Sequence, residues 1–482
     1  MENVKKIVVV LSLLLVNVGF SQQKFYKVYG GTGYDRGYGI LQLKDSGYAI
    51  CGTTSSIVDA PSQAYVSRMD KAGNILWATA IGGTESEEAR DITKSGKGNF
   101  FVSGFSTSGV SSNFDAYTFF IDTNGLLIWE KRLDFGGWEQ WNDGVELKDS
   151  SVFLVGKSES TTSSSNAHIL ARINQTGDTL FTKKISYTGA SNLTGVWKYT
   201  DTSVVVCGSV FNQDSLKRKA YLAVFHNDGT LIWEKQYGIH GEFVLNDVTM
   251  RGTEIFACGT HPIGTTSAEF NLMTNFTGDL IYGFEITDSH VTKNLCLANT
   301  TTSGNGFIVG YQKENASFPT FVNGEDTYLG RYDGGLFWNY AEGYSGIGQD
   351  QTNEIASTLD GSAVAIGYHT TVGELSNTIF VIKLGPDLSY PTHTASSVFN
   401  VATIEDLVDS QVSIYPNPFS DFIQIDIELE SELSIVSLNG EVLMNKTIQS
   451  SEKIDLSNLT NGMYIVKLVS ENGTFIHKIQ KQ

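Results

Sequence analysis

From Lys24 to Leu384 the chain is written in short alternating runs of apolar and polar residues, broken by Asp/Gly-rich turns. The alternation has the period of strands, and no helix is predicted anywhere in the stretch. One run, GNILWATAIGG from Gly73 to Gly83, is rewritten again and again. Its central aromatic returns as Phe25, Trp77, Trp129, Phe181, Trp233, Tyr282 and Trp338, at gaps of 52, 52, 52, 52, 49 and 56 residues. The glycine closing a YAICG-like run returns in step, at Gly52, Gly104, Gly156, Gly208, Gly259, Gly310 and Gly367. Strand-rich text with a period near fifty predicts a β-propeller array.

One unit reads as four strands: Gly37–Leu43 innermost, then Gly47–Cys51, Ala64–Met69 and Ile75–Ile81, joined by short turns such as Lys44–Gly47 and Asp70–Gly73. Further units run over 89–128, 145–180, 196–232, 248–281 and 295–337. The seventh, with strands at Glu354–Ser357, Ala363–Gly367 and Thr378–Leu384, lacks its fourth strand, and Lys24–Gly31 is a fourth strand with no unit before it. Pairing the two closes a ring of seven blades and removes its open edges. Strand alternation then places all the short turns at one end. At the other lie the variable loops, 55–62, 106–115, 158–166, 211–219 and 312–326, which form the expected binding face.

After Leu384 the pattern lapses. Residues 386–411 read as a linker, and a new set of about seven short strands starts at Val412, with hairpin signals at Asn439-Gly440 and Asn472-Gly473. This predicts a small C-terminal β-sandwich. The overall expectation is an all-β chain: residues 1–21 a leader, 22–385 a seven-bladed propeller, 386–411 a linker and 412–482 the sandwich.

Composition adds an address. Lys5 and Lys6 precede an apolar run from Ile7 to Val16, and small residues at Gly19 and Ser21 precede a cut before Gln22, the layout of a secretory signal peptide. The net charge of −19 repels phosphate and argues against nucleic acid. Four cysteines in an exported chain invite disulfides. Yet Cys51, Cys207 and Cys258 occupy the repeat position that elsewhere holds Ser103, Val155, Val309 or Ile366, with Cys296 in a different strand of its repeat, so free buried thiols are expected.

The repeats resemble secreted propeller repeats of Gram-negative bacteria, of the form W-x-K-x-x-G-G-[ST]-x-x-[DE]-x-A-x-x-I. The match lies in Trp77–Thr84 with Glu87, Ala89 and Ile92, and in Trp129–Leu133 and Trp233–Tyr237. It weakens in units five and six and implies the fold alone. The tail resembles the type A C-terminal sorting domain of the type IX secretion system. The matched residues are Tyr415, Pro416, Asn417 and Pro418, then Leu438-Asn439-Gly440, then Asn461, Gly462 and Tyr464, with a basic end at Lys478 and Lys481. That resemblance implies handling by the type IX machinery, removal of the domain, and delivery to the medium or the outer cell surface of a Gram-negative bacterium.

Chemistry is harder to find. The eight histidines form no zinc-binding pair, no nucleophile elbow or phosphate loop is present, and neither a metal nor a cofactor is expected. Asp122–Gly125 and Asn227–Gly229 look faintly like calcium loops but fall at repeat turns. Polar pairs at the inner-strand entrances, Asp35/Arg36, Arg90/Asp91, Asn142/Asp143, Asn246/Asp247, Lys293/Asn294 and Asn353/Glu354, are expected to ring the channel mouth. There they either satisfy loop backbone and channel water, or bind a cation or a sugar or serve acid–base chemistry. Trp77, Trp129, Trp233 and Trp338 follow the repeat and read as core. Trp138, Trp141 and Trp197 do not, and Trp138 is the best surface candidate, with Trp141, Asn142, Asp143, Arg90 and Asp91 beside it. The expected function is a non-catalytic binding or interaction module for a glycan or surface protein. The alternative is a polysaccharide lyase or glycosidase using the channel-mouth carboxylates.

Overall fold

The computed structural model describes residues 24–482 except 32, 57–60, 84, 97, 109–112, 163–164, 239–240, 265, 287–291, 300–306, 315–324, 333–337, 345–349, 371–376, 386, 392–398, 401–412, 417, 428–429, 438–441 and 471–472. The signal peptide, Asn417, the Leu438-Asn439-Gly440 run, Asn472 and most of the 312–326 loop therefore lie outside the described residues. So do the side chains of Lys293, Asn294, Trp338 and Lys478. The described chain is all β, with no helix, and so none long and apolar enough to cross a membrane.

Seven antiparallel sheets follow in order. The first comprises Asp35–Gln42, Tyr48–Thr54, Gln63–Met69 and Ile75–Ile81. The next five repeat that order from inner strands Glu87–Lys94, Trp138–Glu146, Asn192–Thr200, Val244–Arg251 and Thr292–Asn299. The seventh takes Asp350–Ser357, Ala363–Thr370 and Asn377–Lys383, and its fourth strand is Phe25–Gly30, with Phe25 opposite Lys383 and Tyr29 opposite Ile379. The inner strands pack side by side around the ring, Asp350–Ser357 against Asp35–Gln42 completing it. The molecule is a closed seven-bladed β-propeller.

Seven apolar clusters fill the seven junctions, each drawing on two neighbouring sheets. Middle strands such as Tyr48–Thr54 and Asp115–Ile121 are buried on both faces, whereas outer strands such as Thr179–Ser186 alternate half-buried and exposed. The aromatics of the ruler act here, and three of the four repeat tryptophans read as core flank the junction clusters rather than fill them. Trp77, Trp129 and Trp233 are half-buried outer-strand residues that reach across to the next blade. Trp77 donates its indole N–H to the Thr123 carbonyl at 2.9 Å and lies on Gly125. Gly125 has φ +83°, and a Cβ there would come within 2.8 Å of the Trp77 ring, so this turn accepts only glycine. Trp129 repeats the bond to Gln175 at 2.8 Å.

Two further expectations meet a definite outcome. Cys51, Cys207, Cys258 and Cys296 are free and buried. Residues beyond Gly385 continue to pack against the sixth and seventh blades: Leu388 is buried in the cluster between them, and the Tyr390 hydroxyl donates to the Leu329 carbonyl of the sixth at 2.9 Å. Phe399–Asn400 adds a short parallel strand beside Tyr29–Gly30. The C-terminal unit is two sheets, Ser413–Tyr415, Phe422–Asp426 and Glu452–Asp455 facing Val442–Ile448, Ser431–Ser437, Gly462–Ser470 and Gly473–Lys481. Ile423, Ile425 and Ile454 from the first meet Leu433, Ile435, Val466 and Leu468 from the second, which makes it a small sandwich.

Candidate functional site

Every inner strand carries a bulge at the same place, and the bulge builds the channel wall. Register slips between Gly37/Gly39, Ala89/Asp91, Trp141/Asp143, Leu193/Gly195, Leu245/Asp247, Asn294/Cys296 and Thr352/Glu354. The residue after the slip is an acid in four blades, Asp91, Asp143, Asp247 and Glu354. The extra residue within it is Tyr38, Arg90, Asn142, Thr194, Asn246, Leu295 or Asn353. An innermost strand has one unpaired edge, so its N–H and C=O groups need partners from elsewhere.

The bulge residues supply them. Asp143 accepts the amide of Gly144 at 2.7 Å and that of Val196, in the next blade, at 2.6 Å. Asp247 repeats this with Val248 at 2.6 Å and Leu297 at 2.8 Å. Asp91 accepts the Thr93 hydroxyl at 2.9 Å, and Glu354 the Ile355 amide at 3.0 Å. The extra residue takes the carbonyl side: Asn142 donates to Leu193, Thr194 to Leu245 at 2.8 Å, and Asn353 to Gly37 at 2.7 Å. These side chains stitch the third blade to the fourth, the fourth to the fifth, the fifth to the sixth and the seventh to the first.

This belt sits at the waist of the channel, where the sequence reading had placed it at the mouth. The four acids line both a cavity of ≈ 240 Å³ toward the loop-rich end and one of ≈ 480 Å³ toward the short-turn end. Burial pushes Asp91 up to about 7 and Asp247 up to about 6, against the ordinary carboxylate range. Asp143 is raised by burial and then by Asp91 and Asp247, and Glu354 by burial and then by its three acidic neighbours. Arg90 is held between the Glu88 carboxylate and the Tyr38 ring, 4.7 Å from its centroid.

Two of the grouped pairs do not belong to the belt. By register its first member is Tyr38/Gly39, not Asp35/Arg36, and its sixth is Leu295/Cys296, not Lys293/Asn294. Asp35 is buried in the junction between blades, accepting Thr54 Oγ1 at 2.6 Å and both Ser56 Oγ and the Gly31 amide at 2.7 Å. Arg36 lies over the Tyr368 ring at 4.6 Å. A Cβ at Gly39 would come 3.1 Å from the Ile92 amide nitrogen, so an acid does not fit there.

The tryptophans separate. Trp138 stands 49% exposed at the loop-rich end, its ring 5.8 Å from Phe114, which is 37% exposed and packs on Phe105 at 4.8 Å. Trp141 is 0% exposed, edge-on to Phe135 at 5.9 Å within the cluster between the second and third blades, and is withdrawn as a binding residue. Its position three residues from Trp138 puts it on the opposite face of one strand. Trp197, which like the other two does not follow the repeat, is 41% exposed and lines the larger cavity. Phe105 and Phe114 were missed, because neither breaks the repeat pattern as a tryptophan does. The two turn sequences that look like calcium loops are turns: Asp122 Oδ1 accepts the amides of Asn124 and Leu126, and Asp228 Oδ1 that of Thr230.

In the C-terminal unit Tyr464 is buried, its hydroxyl donating to the Thr460 carbonyl at 2.6 Å, while Tyr415, Pro416, Pro418, Asn461 and Gly462 lie at the surface. Residues 413–482 match the family model described as secretion system C-terminal sorting domain. This unit is a type IX sorting domain. The protein that carries it is secreted or displayed on the outer surface of a Gram-negative bacterium, and the sorting domain marks it for the type IX machinery. The expected basic end needs one correction: Lys481 is buried, and its ammonium caps the sorting domain's own turn at the carbonyls of Leu456 (2.7 Å) and Ser457 (2.8 Å).

No curated protein matches the chain. Among solved structures it is similar to a polysaccharide lyase, ulvan lyase, at 9% identity and TM-score 0.51, covering 77% of this chain and 98% of that one. It is also similar to the β-propeller domain of the trilobed protease from Pyrococcus furiosus, at 11% identity and TM-score 0.42, covering 74% and 98%. An α-L-arabinofuranosidase from Fusarium graminearum aligns at 10% identity and TM-score 0.42, covering 61% and 91%. Identities this low bear on the fold alone.

Proposed function

We propose that the propeller is an extracellular binding module, delivered by its sorting domain, that takes a glycan at the loop-rich end. The observation that carries this reading is the pair of exposed rings, Trp138 and Phe114, at adjoining strand ends of the third and second blades. Flat aromatic surface beside polar groups suits a sugar ring, which offers an apolar face and a hydroxyl rim. The acids of the channel speak for binding over catalysis, since Asp143 and Asp247 spend their oxygens on backbone amides. A glycan array probed with the full chain and with Trp138→Ala tests it. Glycan signal that falls at least tenfold in the variant supports the module. Signal unchanged in the variant, or seen only with protein ligands, overturns the glycan assignment.

A second reading is favoured by a specific observation. Burial holds Asp91 and Asp247 near neutrality, beside Asp143 and Glu354, and such carboxylates suit acid–base cleavage of a polysaccharide. The likeness in fold to a polysaccharide lyase is in keeping with this reading. Reducing-end or unsaturated-product release that disappears in Asp91→Asn or Asp143→Asn would establish that reading in place of the first.

A further inference from the structure

The junction between the second and third blades differs from its neighbours in one respect that the repeat makes measurable. At the first junction Gln63, Gly82 and Glu87 meet: a Cβ on Gly82 would lie 2.3 Å from Glu87 Oε2 and 3.4 Å from the Gln63 side chain. Glu87 is satisfied there, accepting Ser106 Oγ at 2.8 Å, Ser108 Oγ, and the Gly83 amide at 3.0 Å. Fifty-two residues on, the same three positions are Asp115, Asp134 and Glu139. Register confirms the equivalence, since Thr54 pairs with Gln63 as Ser106 pairs with Asp115. One more repeat on they are Ala167, Ser186 and Ser191. A single carboxylate among neutral groups has become three.

The three contribute carboxylate oxygens lying within 4.8 Å of one another. Asp115 is 6% exposed and Glu139 0%, while Asp134 faces solvent. Glu139 Oε1 accepts Ser158 Oγ at 2.7 Å, as its counterparts do. But Glu139 Oε2 and Asp115 Oδ1, both buried, have no hydrogen-bond donor. Buried carboxylate oxygens without a donor are costly and call for a partner. Two cations lie nearby, and both are engaged elsewhere. Arg132 donates to Ser106 Oγ at 3.0 Å and lies over the Tyr117 ring, and Lys184 donates to the Phe135 carbonyl at 2.6 Å.

We propose that Asp115, Asp134 and Glu139 bind a calcium-class divalent cation at the junction of the second and third blades. Calcium takes hard oxygen donors at about 2.3–2.6 Å, so ligands on opposite sides of one ion lie at most about 5 Å apart, which the cluster satisfies. Water completes the shell on the Asp134 side, the exposed one. Asp115 follows Phe114 and Glu139 precedes Gln140 and follows Trp138, so the ion ties together the two strand ends that carry the exposed rings. The inference stands apart from the proposed ligand, because its readout is the ion.

The test is titration calorimetry of the chelator-stripped full chain with CaCl₂ and MgCl₂, beside melting curves in each. Two variants restore the first junction's residues, Asp134→Gly and Asp115→Gln. Asp134 is exposed, so its variant folds even where the buried Asp115→Gln is perturbed. The expected result is one calcium per chain, with a Kd on the order of 10⁻⁵–10⁻³ M and calcium preferred to magnesium. Binding weakens at least tenfold in Asp134→Gly, and the calcium-dependent rise in melting temperature goes with it. No heat and no melting shift at millimolar calcium overturns the site. So does calcium binding that persists unchanged in Asp134→Gly, which would put the ion elsewhere.

Discussion

Two groups of acids lie in this propeller, and the fold treats them in opposite ways. At the channel waist, Asp143 and Asp247 each accept two backbone amides, one from their own strand and one from the next blade. At the rim of the second and third blades, Asp115 and Glu139 each keep a buried oxygen with no donor. Both groups are desolvated, so burial alone does not distinguish them. What differs is whether the neighbouring backbone offers N–H groups. The inner strands have an unpaired edge whose amides need acceptors, and Asp143 and Asp247 meet that need, whereas each rim acid keeps one buried oxygen that no donor reaches. The first group is architecture; the second has capacity to spare.

Breaking the ring is the strongest way to break that contrast. Deleting Lys24–Gly30 removes the strand that pairs with Asn377–Lys383 and opens the last blade to solvent. The belt needs every blade in place to receive its neighbour's side chains, so we expect loss of cooperative unfolding, or aggregation through the bared edge. A melting transition within a few degrees of wild type would show that the junctions hold the ring without closure, and that the belt is decoration.

The next test separates the two groups directly. Asp247→Ala leaves the Val248 and Leu297 amides without their acceptor, and a buried donor left unpaired costs about 1–3 kcal/mol. With channel water recovering part of it, we expect about 2–4 kcal/mol in denaturant unfolding. Asp134→Gly at the rim should change stability by less than about 0.5 kcal/mol in the absence of calcium, as surface substitutions commonly do. Equal losses for the two would erase the distinction between committed and spare carboxylates.

The fold was legible because a propeller writes its period into residues that meet at every junction. Trp77 and Gly125 recur together since one packs on the other, and the orphan strand at Lys24–Gly31 was readable as the complement of a three-stranded last blade. The belt was half legible. Arg90/Asp91, Asn142/Asp143, Asn246/Asp247 and Asn353/Glu354 were grouped correctly, but the bulge inserts one residue and destroys the alternation that would have fixed their register. Asp35/Arg36 and Lys293/Asn294 were therefore aligned to them in error. Asp143 and Asp247 each take a second partner from the following blade, 53 and 50 residues away, which no local pattern displays. Trp141 was available from parity alone, since it lies an odd number of residues from Trp138. The rim cluster was available from the 52-residue ruler, by asking what stands at the positions of Gln63 and Gly82 one repeat later.

The smallest effect is also the one that reads the belt's charge. Burial raises Asp91 to about 7 in the folded chain, well above its unfolded value near 4. Between those values the native state holds a proton that the unfolded state has released. Stability from this group is therefore fully present below about pH 4 and is lost as pH rises toward 7. His168 works against it in the same window. Burial lowers it to about 4, so the unfolded chain takes up a proton that the native one refuses, and stability falls as pH drops below about 6.5. The sum of the two is uninformative, but their difference across one substitution is not. Asp91→Asn cannot titrate and leaves His168 in place, so subtracting its stability curve from the wild-type curve cancels His168 and reads the Asp91 carboxyl together with its effect on Asp143 and Glu354. We expect the wild type to lose about 1–2 kcal/mol relative to the variant between pH 4.5 and 7.5, less than a sealed site would give because Asp91 lines both water-accessible cavities. Parallel curves would mean that the belt acids are charged throughout, held by their amides as surface carboxylates are by water, and the contrast with the rim would then rest on hydrogen bonding alone.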